Sequence, residues 1–326
     1  MTPPPPDDYR GARAVVLGAT GFIGRWVARS LVAAGAEVHA VVRDRASAHA
    51  TLPDLETLAG LHALDLTDAW SLRRLLGMVR PSLVFNLAGY GVDRAERDDN
   101  IAAAVNEGAV RTLVEALAAT ADRRWRGQHL VHAGSALEYG EASGDLEEKS
   151  TTPRPTTTYG RTKLAATLAI GEAAPRLGLR AVTARLFTVY GPGEHDGRLL
   201  PALLAARAHA EPLPMTSGEQ RRDFTYVGEV AEGLLRLGVS SAEPGAAVNL
   251  ATGTLTSVRG FAERAARVLG IAAERLRFGA LPTRPEEMHH DPVTIARLRS
   301  LTGWTPGCGI EEGVRRTLAE TQGAAR

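Results

Sequence analysis

Between residues 13 and 185 the chain repeats one rhythm: a short, nearly continuous apolar run, then a longer stretch with apolar positions three and four apart. The runs predict strands at residues 14–17, 37–42, 61–64, 83–87, 129–133 and 180–186. The spaced stretches predict helices at residues 22–34, 69–78, 101–121 and 159–177. Strands that are apolar on both faces belong inside a parallel sheet with helices on each side. Right-handed crossovers then give a doubly wound α/β fold. Beyond Gly191 the rhythm breaks, with Pro192, Pro201, Pro212 and Pro214 close together and helices expected at residues 199–209, 227–237, 258–269 and 309–319. The chain therefore divides into a disordered leader (1–10), a first domain (11–190) and a smaller lobe (191–326) with segments able to return to the first sheet.

Composition narrows the class. Of 326 residues 44% are hydrophobic and 23% charged, enough to bury a core and too apolar for a disordered chain. The net charge of +1 lacks the basic excess of a nucleic-acid binder. A single cysteine, Cys308, forms no internal disulfide, and the nine histidines show no HExxH or CxxC spacing, so no metal site is expected. The longest stretch without charge, residues 244–258, falls short of the roughly 18 to 20 apolar residues of a membrane span. The amino terminus has neither a basic nor an apolar signal region, so a cytoplasmic protein is expected. Only Lys149 and Lys163 are lysine; the other 36 basic residues are arginine. A lysine in this chain is a residue to explain.

The first strand runs into Gly18-Ala19-Thr20-Gly21-Phe22-Ile23-Gly24, and a helix follows. Glycine at these three places permits a tight turn, close approach to a pyrophosphate and close packing of helix on strand, while the helix terminus offers N–H donors. The reading is a dinucleotide site of Rossmann type. At the end of the second strand an acid would accept the ribose hydroxyls of NAD, but Val42 stands there, followed by Arg43, Asp44 and Arg45. A guanidinium at this point suits the 2′-phosphate of NADP, which is favoured over NAD; Asp44 keeps the NAD alternative open.

These motifs do not stand alone. Gly18 to Gly24, Asp65-Leu66, Asn86-Leu87-Ala88-Gly89, Ser135, Tyr159-Gly160-Arg161-Thr162-Lys163, residues 185–192, residues 221–227 and residues 303–306 follow one another in the order seen in extended short-chain dehydrogenases/reductases. The chain resembles the nucleotide-sugar branch of that group, the NAD-dependent epimerase/dehydratase type. The resemblance implies that Gly18, Thr20, Gly21, Phe22, Ile23, Gly24, Asp65, Leu66, Leu87, Ala88 and Gly89 surround the dinucleotide, with Arg43, Arg45, Asn106, Tyr159 and Lys163. It also implies that Asn106 sits at a helix distortion whose freed backbone group holds a proton-relay water.

Tyr159 and Lys163, four apart, share a helix face. A phenol with a pKa near 10 is a poor acid or base at neutral pH, and a neighbouring ammonium is expected to lower it. Ser135, just beyond the fifth strand, suits a hydroxyl that polarises the same carbonyl oxygen. The three are the expected catalytic residues.

The neighbours of Ser135 separate reactions within the resemblance. Dehydratases carry acidic residues at the next two positions; here these are Ala136 and Leu137, which move no proton. Glu138 before Tyr139-Gly140 is similar to the 4-ketoreductases, where it would face substrate; otherwise it is an outward-facing surface residue. Ser135, Glu138, Thr188, Arg222 and Arg284 are the expected substrate contacts, although Thr188 stands where many relatives have asparagine. The expectation is an NADPH-dependent reductase of the 4-keto group of a nucleotide-linked 6-deoxysugar. An NAD-dependent epimerase, a reductase of a non-nucleotide ketone or aldehyde, and a non-catalytic NADP-binding regulator are the alternatives. The alanine-rich helices at 101–121 and 159–177 match those that form a homodimer contact in relatives.

Overall fold

The apolar runs become parallel strands because both faces of the sheet are covered. The computed structural model describes residues 7–52, 55–91, 96, 98–282 and 291–323. In chain order the strands are β1 (Arg13–Leu17), β2 (Glu37–Val42), β3 (Gly60–Ala63), β4 (Leu83–Asn86), β5 (Leu130–Ser135) and β6 (Ala181–Leu186). They continue with β7 (Thr188–Tyr190), β8 (Leu213–Met215), β9 (Arg221–Tyr226), β10 (Ala246–Leu250), β11 (Leu255–Ser257) and β12 (Leu276–Phe278). Seven strands form one parallel sheet in the order β10-β6-β5-β4-β1-β2-β3. The order reverses beside β1, so a crevice opens at the carboxyl ends of β1 and β4, where such folds bind ligands.

The helices are α1 (Phe22–Ala33), α2 (Arg45–Thr51), α3 (Ala69–Val79), α4 (Asp99–Ala103), α5 (Ala109–Thr120) and α6 (Thr158–Leu177). After the first lobe come α7 (Leu199–Ala206), α8 (Val227–Gly238), α9 (Val258–Leu269), α10 (Ala296–Thr302) and α11 (Ile310–Gly323). One face of the sheet is packed by Val27 and Leu31 of α1 with Leu234 and Leu235 of α8. The other is packed by Leu72 and Leu76 of α3, Leu113 and Leu117 of α5, and Ile170 of α6. A further core gathers Phe224 of β9, Phe261 and Ala265 of α9, Leu203 of α7 and Val314 of α11. No helix among the described residues is long and apolar enough to cross a membrane.

Three differences from the sequence reading have physical causes. Residues 7–10 are not disordered leader: Tyr9 is wholly buried, packs at a tilt against Phe85 and Trp125, and donates its hydroxyl to the Leu235 carbonyl. The stretch 101–121 is not one regular helix, because residues 104–108 form a π-helical turn between α4 and α5. None of the six strands described beyond residue 186 is anticipated by the apolar pattern, because four are three residues long, β9 carries charge, and β10 is a single short run with no readable period. Of these later strands, β10 lies beside β6 and closes the main sheet from outside the first 190 residues.

Candidate active site

At the end of β1, Gly18 takes φ +75°, and the N–H groups of Gly18 and Ala19 both donate to the Val41 carbonyl at 3.2 Å. The Gly21 N–H donates to the Gly18 carbonyl at 3.0 Å, and α1 begins at the next residue. A Cβ on Gly24 would overlap that Gly18 carbonyl oxygen, and one on Gly18 would lie 2.9 Å from the Ala88 backbone. The turn, α1 and the Leu87-Ala88-Gly89 segment after β4 can therefore close on one another only because side chains are missing. The result is a cradle with free helix N–H groups, which fits a dinucleotide pyrophosphate. Phe22 and Ile23 turn instead toward the second lobe and pack on its core.

Beside the cradle, β2 ends with Val42 buried and Arg43 exposed. Asp44 accepts the Ala46 N–H at 3.1 Å at the start of α2. Arg45 does not face the crevice with Arg43: its guanidinium donates to the Leu61 carbonyl of β3 at 2.9 Å. Asp65 accepts both the N–H and hydroxyl of Thr67, which holds its carboxyl below the usual range, and the nearby charge of Arg43 pulls the same way. Leu66 is half-buried against the core of α3, α5 and α6.

The chemistry gathers across β4 and β5. Thr157 caps α6 by accepting the Gly160 N–H, and a Cβ on Gly160 would collide with the Leu137 carbonyl. This seats the first turn of α6 against the segment following Ser135, whose side chain lies near enough to Tyr159 to influence its ionisation. Lys163, 2% exposed, donates to the Ala133 carbonyl at 2.8 Å, with its ammonium 5.9 Å from the centre of the Tyr159 ring. Asn106 lies in the π-helical turn, where its amide both accepts from and donates to the Tyr90 backbone and also donates to the Thr162 hydroxyl, each at 2.9 Å. That side chain fixes the loop after β4 to α6. A π-turn at this place is a common mark of a functional site.

The expected influence of Lys163 on Tyr159 is not what the structure shows. Burial raises the phenol well above its usual range, Glu138 and Glu96 push it further, and Arg198 and the nearby Ser135 side chain oppose them. The tyrosine is held protonated. Lys163 itself is pulled down to about 8 by burial, with Glu138 opposing.

Glu138 departs from the outward-facing reading: it is wholly buried, accepting the Ser135 N–H at 2.8 Å and pairing with Arg185 at 2.8 Å. Thr188 is half-buried at the start of β7, opposite Phe224 of β9. Arg222 lies half-buried on β9 beside Asp223, which accepts from Thr252 and Thr254 and so ties their loop to the strand. Arg284 lies outside the described residues.

Two groups at this mouth were missed. Arg198, just before α7, reaches Tyr159 electrostatically, and Glu194 sits 3.8 Å from its guanidinium. Their spacing of four was a faint signal in a loop carrying Gly191, Gly193 and Gly197. Glu194 has a buried carboxyl oxygen with no hydrogen-bond partner, and burial pushes its pKa up to about 7. Its folded value exceeds the unfolded one, so folding favours the protonated form and stability is lost as pH rises from about 4.5 through 7. Glu194→Gln, which stays neutral, should raise stability by roughly 2 kcal/mol at pH 8 and little at pH 5. Denaturant melts at the two pH values check this; an equal effect at both would refute it.

The sequence pattern of the NAD dependent epimerase/dehydratase family matches residues 14–251, from β1 to just past β10. The chain belongs to the NAD-dependent epimerase/dehydratase family. It is an NAD(P)-dependent enzyme of the extended short-chain dehydrogenase/reductase type, and its glycine cradle and Tyr159–Lys163 helix lie within the matched span. This family member is 31% identical to dTDP-6-deoxy-L-talose 4-dehydrogenase (NAD(P)(+)) of Kitasatospora kifunensis, over 93% of this chain and 94% of that one. It is 28% identical to GDP-6-deoxy-D-mannose reductase of Pseudomonas aeruginosa, over 96% and 98%. Among solved structures, MoeE5 in complex with UDP-glucuronic acid and NAD superposes with a TM-score of 0.79 at 29% identity, covering 96% of this chain and 99% of the other.

Proposed function

We propose that this enzyme reduces the 4-keto group of a nucleotide-linked 6-deoxysugar with NADPH. The observation that carries the reading is the hydroxyl pair of Ser135 and a protonated Tyr159 at the crevice, next to Ala136 and Leu137 rather than acidic residues. Such a pair gives one proton to a carbonyl oxygen, and the two apolar neighbours leave no base for eliminating water. The bound dinucleotide supplies the hydride. Ser135 holds the carbonyl oxygen, Tyr159 passes its proton to it, and Lys163 uses its remaining donors to order the cofactor ribose. The two relatives named for 6-deoxysugar chemistry act on dTDP- and GDP-linked sugars, which supports the substrate class. Thr188, Arg222 and Arg284 are assigned to that substrate, with the arginines on its diphosphate. Consumption of NADPH with dTDP-, GDP- and UDP-linked 4-keto-6-deoxysugars tests this, and no turnover with any of them would refute it.

Arg43 carries the choice of NADPH, because it is exposed at the rim while Asp44 is drawn into starting α2. A charge-assisted pair with a 2′-phosphate contributes about 1.5–3 kcal/mol. Arg43→Ala should therefore lower the NADPH-over-NADH ratio in kcat/KM by roughly 10- to 100-fold; an unchanged ratio removes Arg43 from cofactor choice. The alternative is an NAD-dependent 4-epimerase, favoured by the NAD and UDP-glucuronic acid bound in MoeE5. That enzyme would interconvert epimers with no net consumption of cofactor. A homodimer through α5 and α6 also fits, since Leu168 on α6 and Ile101 on neighbouring α4 are exposed, and the mass in solution decides it.

A further inference from the structure

Beneath Ser135 lies a charge that solvent does not reach. Glu138 is wholly buried and the side chain of its partner Arg185 is 5% exposed. The Arg185 guanidinium stacks 4.6 Å from the centre of the Tyr139 ring, and the Tyr139 hydroxyl donates to Asn249 of β10 at 2.8 Å. Gly134, just before Ser135, leaves room for the carboxylate: a Cβ there would come 2.6 Å from Glu138 Oε1. The end of β5 is thus shaped around this side chain.

A buried ion pair is a weak source of stability, because apolar residues of similar volume often do as well or better. Its place under the reacting hydroxyls points to another use. We propose, on the reductase reading above, that Glu138 is a positioning residue, pinning the Ser135 backbone from below and supplying the buried negative charge that keeps the Lys163 ammonium charged.

The surroundings support this. One oxygen of Glu138 fixes the Ser135 N–H, while the other fixes Arg185 of β6. The titratable groups around Lys163 are Glu138, Tyr159 on its own helix, and His132 on β5. His132 is wholly buried and held neutral by burial and by Lys163 itself. Glu138 is the negative group that opposes the burial of Lys163, and it also keeps the proton on Tyr159. Around Glu138 stand Arg185 and Tyr139, with Glu148 beyond, at the Asn249 N–H. Both effects favour a site that begins its cycle with a charged lysine and a protonated tyrosine, as reduction of a ketone requires.

The scarcity of lysine makes the test direct. Lysine labelled with ¹³C next to the amine gives two signals, with exposed Lys149 as internal control. Glu138→Gln keeps an acceptor for the Ser135 N–H but removes the charge. The Lys163 titration midpoint should then fall by about one pH unit, while Lys149 stays in place. The alkaline limb of kcat should move by the same amount, so that the loss of turnover is larger at pH 8 than at pH 6. The double variant Glu138→Leu/Arg185→Met should melt close to the wild type yet turn over at least tenfold more slowly. An unmoved Lys163 midpoint, a double variant with wild-type kcat and pH profile, or failure of both variants to fold would overturn the proposal. The lysine titration needs no substrate: should the wild type reduce no keto sugar, the reductase reading falls while the midpoint still reports on Glu138.

Discussion

Tyr159→Phe should lower turnover by roughly 10²- to 10⁴-fold, the usual contribution of a placed general acid, while NADPH binding changes little. The substitution removes one oxygen and leaves the ring. That ring lies alongside Gly91, where a Cβ would meet it at 3.4 Å, and Lys163 sits 5.9 Å from its centre, so packing is kept. The Ser135 side chain loses a polar neighbour, and the change in stability should stay within about 1 kcal/mol. The pairing of a large kinetic loss with a small change in melting and cofactor affinity is what a proton donor predicts. Stopped-flow NADPH oxidation and cofactor titration by fluorescence check both sides, and turnover within tenfold of wild type would remove Tyr159 from the chemistry.

Gly24→Ala should abolish measurable cofactor binding and destabilise the fold by roughly 2–4 kcal/mol. The added methyl would overlap the Gly18 carbonyl oxygen, and that atom belongs to the backbone of the turn, so no rotamer change relieves it. Either α1 moves off the sheet, where Val27 and Leu31 are wholly buried, or the turn opens and its N–H groups lose their aim. Gly77→Ala is the matched control: Gly77 lies within α3 with nothing near its missing Cβ, and the change should stabilise by about 0.5–1 kcal/mol. Isothermal titration with NADPH and denaturant melts separate the two variants. Binding by Gly24→Ala at wild-type affinity would mean that the cradle is not the dinucleotide site.

How far each feature was legible follows from its range along the chain. The alternation of strands and helices, the glycine turn and the Tyr159–Lys163 spacing are encoded within a few residues, where period and turn chemistry act. The placement of Arg45 on the Leu61 carbonyl and of Tyr9 under Leu235 depends on partners 16 and 226 residues away. The same holds for Glu138, whose role turned on Arg185, 47 residues later. No local pattern distinguishes a buried glutamate from an exposed one when its partner is remote.

The amino-acid sequence by itself determined the doubly wound architecture, because hydrophobic period and glycine chemistry are short-range constraints. It also singled out the Gly18–Gly24 turn and the Tyr159–Lys163 pair, because turn chemistry and helix spacing are local. Only the tertiary structure decided their electrostatic state. The phenol of Tyr159 stays protonated because burial and the charge of Glu138 act together on it, while at Lys163 burial outweighs Glu138 and brings the amine down to about 8. Desolvation is a property of the whole surrounding protein, summed over strands and helices distant in sequence, so it becomes readable once the chain has closed around the site.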